Sequence, residues 1–183
     1  MSERQRRYTP IELPQFPKAY LYNYAEECLD NAIKHISVVV DSHVEEGSGL
    51  NHWRIFLTFN ETSSICINMV TISGTDTTGY CGILRKDYDI TRAKFVAIPV
   101  VLRNNPVTLR DVMSALHNAG RFRYKYYSQT AGCRHWVSKA IETLQAAGLV
   151  IPPSAEFVAE EINYVWTSEK ERSPNKAQKG TFY

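Results

Sequence analysis

A chain of 183 residues with 44% apolar content can bury one substantial core, so a single domain is expected. Its 21 Lys and Arg against 19 Asp and Glu leave a formal charge of +2, too small a bias to mark a nucleic-acid or membrane partner by electrostatics alone. Cys28, Cys66, Cys81 and Cys133 stand far apart without a CxxC pair, behind the polar start MSERQRRYTP, and no apolar run approaches the roughly 20 residues of a membrane helix. A reduced, cytoplasmic protein without a membrane span is the expectation.

Residues 1–17 are Arg-rich and carry Pro10, Pro14 and Pro17, which predicts a flexible tail. Residues 168–183, polar around Pro174 and Gly180, predict a second one, leaving 18–167 as the domain. A short helix is expected over 22–34, followed by a buried β-branched strand at 36–40 and the loop VEEGSGLN. From 52 to 59 Trp53, Ile55, Leu57 and Phe59 alternate with His52, Arg54, Phe56 and Thr58, and after NETS a second strand at 64–72 completes a hairpin. SGTDTTGYCG reads as a long loop, with further strands at 83–90 and 94–102.

The second half turns helical. Thr108 with Asp111 three residues on resembles a capping box, and Leu109, Val112, Met113 and Leu116 keep helical spacing until Gly120. After RFRYKYYSQTAG, residues Cys133, Trp136, Val137, Ala140, Ile141 and Leu144 mark one face of a helix that stops at Gly148. Pro152 and Pro153 open a last helix carrying Phe157, Ile162 and Trp166. The class is therefore α+β: a mainly antiparallel sheet of about five strands with the helices packed on one side.

Cys133 falls in the first turn of its helix, where unpaired backbone N–H groups favour a thiolate, and Gly132 before it would let a carbonyl approach the Cys133 N–H as one oxyanion donor. His52, at the start of a strand, is the candidate base. His135 lies two residues along the helix, about 200° around its axis from Cys133, so it points away and reads as a surface or substrate-side residue. His35, His43 and His117 read as plain loop or surface residues.

A histidine base needs a group to orient its other nitrogen, and Ser64, Cys66 and Asn68 share one face of the hairpin partner strand. A three-residue loop at 59–61 would put Asn68 opposite His52, and a two-residue loop at 61–62 would put Thr71 there; Asn68 is the expected partner.

In RFRYKYY, alternation would bury Phe122, Tyr124 and Tyr126 and leave Arg121, Arg123 and Lys125 solvated, so nucleic acid is not an expected partner. Cys66, Cys81, His52 and Cys133 lack paired zinc spacing, and no GxGxxG, GxxxxGK[ST] or HExxH pattern occurs. No metal or cofactor is expected.

The segments NHWRIFLTF and YYSQTAGCRHWV resemble the histidine-strand and cysteine-helix boxes of the lecithin:retinol acyltransferase and NlpC-like superfamily, over roughly residues 52–148. The resemblance implies a permuted papain-like fold, with Cys133 as nucleophile, His52 as general base and Tyr126, seven residues before Cys133, near the oxyanion. Gly132 stands where that family often has asparagine. SICINMV together with GCRHWVSKAIETLQAAGLV also resembles a fungal domain family without an assigned activity.

The expectation is a cysteine-dependent hydrolase or acyltransferase acting on an amide, ester or thioester of a small molecule or peptide. The alternative is a non-catalytic binding or scaffold module that keeps the papain-like shape. The two differ in geometry, because an enzyme needs sulfur and imidazole within hydrogen-bond reach at an open cleft.

Overall fold

The computed structural model describes residues 11–13, 16–22, 25–44, 50–71, 77–103, 106–128, 132–167 and 169–183. The first half is strand: β1 (Ile11–Leu13), β2 (Phe16–Tyr22), β3 (Ala32–Ile33), β4 (His35–Val44), β5 (Asn51–Asn60), β6 (Ser63–Thr71), β7 (Thr78–Lys86) and β8 (Lys94–Val100). The second half mixes β9 (Val107–Thr108), α1 (Leu109–Asn118), β10 (Tyr124–Lys125), α2 (Cys133–Ala146), α3 (Ser154–Glu161), β11 (Tyr164–Trp166), β12 (Arg172–Pro174) and β13 (Thr181–Phe182).

The main sheet runs β1-β2-β7-β6-β5-β4-β8, with β10 on β7 and β13 on β10. It is antiparallel except where β2 runs parallel to β7. Nine strands among the described residues replace the five or so expected. The additional ones are short or lie in the Pro-rich start, where backbone pairing with distant neighbours, not side-chain alternation, makes the strand.

β5 pairs with β6 through Ile55↔Ile67 and Leu57↔Ile65, and with β4 through Ile36↔Leu57 and Val38↔Ile55. Because side chains alternate, Trp53, Ile55, Leu57, Ile65, Ile67 and Met69 all reach one face, where they join the core formed with α1, α2 and α3. The helices do pack on one side. On the other face Val39, Phe56 and Cys66 form a smaller cluster beside Leu84 and Ile90. The connection from β7 to β8 folds over it, held by Ser64 Oγ donating to the Tyr88 carbonyl (2.6 Å) and Thr58 Oγ1 to the Asp89 carbonyl (3.0 Å).

The capping box forms as expected: Thr108 Oγ1 accepts from the Asp111 N–H, and the Asp111 carboxylate accepts from the Thr108 N–H at 2.8 Å. Other expectations are corrected. The helix over 22–34 is one 3-10 turn at Ala25–Cys28 followed by β3, because Ala25, Cys28 and Leu29 supply apolar spacing for a single turn only. α3 ends at Glu161, with Phe157 exposed and Trp166 in β11, where Asn51 of β5 holds both backbone groups of Trp166 at 2.7 and 3.1 Å.

Neither proposed tail is wholly loose. Residues 1–10 lie outside the described residues, but β1 and the buried Phe16 belong to the sheet. Residues 169–183 contain β12 and β13 and bury Ala177.

Candidate functional site

Cys133 opens α2 as expected, following Gly132, whose φ of +143° favours glycine. A Cβ at Gly132 would also come within 2.8 Å of the Tyr126 ring. The thiol is buried, 6% exposed, in the same core cluster as Trp53, Met69, Tyr124 and Tyr126. The Tyr124 hydroxyl donates to the Gly132 carbonyl at 2.8 Å, and the Tyr124 and Tyr126 rings meet edge to face at 5.3 Å. Tyr126 thus lies beside the start of α2, but its hydroxyl donates to the Met69 carbonyl.

His52 and Asn68 meet: Nε2 lies 2.7 Å from the Asn68 Oδ1 and donates to it, since the amide oxygen only accepts. The register is neither of those weighed from sequence. A turn at Glu61 and Thr62 joins Asn60↔Ser63, and an irregularity between Thr58 and Asn60 then shifts the pairing to Thr58↔Ser64 and Ile55↔Ile67. Continued along the strands, this puts Asn68 opposite Arg54 and diagonal to His52, within reach of a long side chain.

The same alternation separates His52 from Cys133. Asn68 stands between the core-facing Ile67 and Met69, so it and the imidazole bonded to it project from the face of Phe56 and Cys66. Cys133 lies in the core on the helix side. The expected pairing is therefore corrected: the sheet stands between thiol and imidazole, and on β5 it is Trp53 that faces the helix side.

Beside His52, Arg54 pairs with Asp41, lies 5.7 Å from the Phe56 ring centroid and reaches the Cys66 thiol. Burial pushes that thiol up to about 11 against the pull of Arg54, and burial also raises Cys81 and Cys28. Among the described residues, no three His, Cys, Asp or Glu side chains gather as a metal site.

On the helix side the organising group is Tyr124. Its hydroxyl lies 3.2 Å from His135 Nδ1 and accepts from the Gly180 N–H at 3.0 Å. His135 is half-buried, not a plain surface group, and burial together with Lys139, Lys179 and Arg121 lowers its pKa. His117 packs on Phe16 and Phe122, at 5.6 and 6.0 Å, whereas His35 is exposed. The sequence signal for Tyr124 was the alternation in RFRYKYY: Phe122, Tyr124 and Tyr126 are buried, Arg123 and Lys125 exposed, and Arg121 partly covered.

Among the described residues, hollows lie elsewhere: one of about 590 Å³ is lined in part by Lys34, His35, Glu61 and Asp89, and one of about 430 Å³ in part by Tyr164, Asn175 and Lys176. Residues 36–183 match the family model described as a domain of unknown function, DUF7770. The chain belongs to that family. The match runs from β4 through β13, so the last strands are part of the DUF7770 domain. No curated protein and no solved structure matches it.

Proposed function

We propose that this DUF7770 domain is a non-catalytic binding module. The observation that carries the reading is the placement of His52 and Asn68 on one face of the sheet and Cys133 on the other. A thiol nucleophile needs its base within hydrogen-bond reach, and an imidazole across a sheet has no path to the sulfur. Burial of Cys133 and the Tyr126 hydroxyl's bond to the Met69 carbonyl support the same reading, since an acyl group needs an open approach to the sulfur. A permuted papain-like ancestry would explain the order of histidine strand and cysteine helix; the module would keep that shell without its chemistry.

The test is the pH dependence of alkylation at each cysteine, read by mass spectrometry in the native protein and in His52→Ala. Cys133 is expected to react slowly and equally in both proteins, while Cys66 and Cys81 stay inert because burial keeps them protonated. Rapid alkylation of Cys133 well below pH 8, lost in His52→Ala, would restore the cysteine-dependent hydrolase or acyltransferase.

A further inference from the structure

The last strand is built like a bound peptide. Among the described residues β13 pairs with β10 alone, through Tyr124↔Phe182 and Lys125↔Thr181, and the Tyr183 N–H donates to the Arg123 carbonyl at 3.3 Å. The Phe182 ring sits 4.9 Å from the Tyr124 ring and 6.0 Å from His135, with the Arg121 guanidinium 4.5 Å from its centroid. Only a residue without a side chain fits two positions earlier, since a Cβ on Gly180 would overlap the Tyr124 ring and the Lys125 carbonyl. Thr181 and Tyr183 point outward and are exposed. Backbone pairing along an edge, with pockets for alternate residues, is how a sheet receives an extended peptide.

The segment's hold ends early. Arg134 donates to the Asn175 carbonyl at 2.7 Å and to its Oδ1 at 2.8 Å, and the Ala177 N–H donates to Asn163 Oδ1 at 3.2 Å. Gln178 and Lys179 are then exposed, and residues 180–183 rest on two residue pairs, the Gly180 N–H on the Tyr124 hydroxyl, the Tyr183 N–H on the Arg123 carbonyl and the Phe182 ring. So short a pairing opens at little cost while residues up to 177 stay anchored. Its charge also fits poorly. Lys179, next to Gly180, approaches an edge that already presents Arg123 and Lys125, and Lys179, Lys139 and Arg121 act on His135 against Glu142.

We infer that β10 and the Tyr124-His135-Arg121 socket are a docking site for an acidic, extended peptide of a partner protein carrying glycine two residues before an aromatic ring, and that Gly180-Thr181-Phe182 fills the site in cis. The inference rests on the binding-module reading and names its ligand. The cis segment competes at an effective concentration of order millimolar, so a free peptide binds the native chain weakly and an emptied site tightly.

The probe is a fluorescein-labelled peptide with the sequence of residues 176–183 in which both lysines are replaced by glutamate, and its control has alanine in place of the phenylalanine. Fluorescence anisotropy is measured on the full chain, on Phe182→Ala and on Gly180→Val, with circular dichroism to confirm folding. Each folded variant is expected to bind the probe at least tenfold more tightly than the native chain, with affinity falling as salt rises. The alanine control should lose at least tenfold on every protein, the native chain included.

Equal binding of probe and control, or no binding to the native chain at millimolar peptide and none to a folded variant, overturns the inference. Dimerisation of the native chain that Phe182→Ala abolishes, without peptide binding, makes a second copy the occupant and overturns it too. Alkylation of Cys133 in the same samples separates the two readings. An inert Cys133 with no peptide binding removes this inference alone, whereas a reactive, His52-dependent Cys133 removes the binding module.

Discussion

The hydrogen bond from His52 to Asn68 ties β5 to β6 on the face away from the helices. A partly buried bond of this type contributes about 1 kcal/mol, so a double-mutant cycle of His52→Ala and Asn68→Ala, followed by urea unfolding, is expected to return a coupling of about 0.5–1.5 kcal/mol. His135 makes a second prediction. Burial first, then Lys139, Lys179 and Arg121, lower its folded-state pKa below the ordinary value of about 6.5. The unfolded chain then binds the proton more readily, so stability is whole above about pH 6.5 and is lost as pH falls below it. Thermal midpoints recorded between pH 7.5 and 5 should fall, and His135→Gln should flatten that fall. Asn68 was legible in sequence because polar residues alternate with core residues along 64–72. Its register was not, because the irregularity near Phe59 leaves no mark in residue type.

Elements held by periodicity were the legible ones. α1 and α2 begin and end close to where their caps and glycines put them, because each stripe of apolar residues is buried against the sheet. Thr108→Ala removes the side-chain half of the capping box, the Oγ1 that accepts from the Asp111 N–H, and should cost about 1 kcal/mol in denaturant unfolding. Trp136→Ala empties a fully buried site and leaves the Arg121 carbonyl without its 2.8 Å donor, so a loss of about 3–5 kcal/mol is expected in the same measurement. Elements held by distant backbone partners were not legible. β7 begins at Thr78, inside what reads as a loop, because Gly79 and Tyr80 are ordered by Thr71 and Val70 of β6 and by Tyr124 of β10. Beyond its single 3-10 turn, the expected helix over 22–34 also gives way to such a partner, since Ile33 pairs with Val107.

Across the whole molecule, Arg134 joins the late segment to the helical layer. It is 4% exposed and donates to the Ile162 carbonyl as well as to Asn175, so it pins the end of α3 and the residue that follows β12 to α2. Arg134→Met leaves the Ile162 carbonyl and the Asn175 acceptors without this donor, and hydrogen exchange at Ala177 and Gly180 should accelerate at least tenfold while the amides of β5 and β6 stay protected. A polar, proline-bearing sequence reads as a tail because it has few apolar residues to bury; a buried guanidinium, the pairing of β12 with β11, Ala177 and one aromatic ring dock it here.

Composition, alternation and capping residues determined the α+β class, the hairpin of β5 and β6, the helices α1 and α2, and the position of Cys133 at a helix start, because those features depend on neighbours within a few residues. Which residues meet was left to the tertiary structure. A strand sends adjacent side chains to opposite faces, so whether His52 or Trp53 shares a side with Cys133 depends on how the sheet is laid against the helices, and that choice is made by the summed burial of many apolar residues, not by the two that would do chemistry.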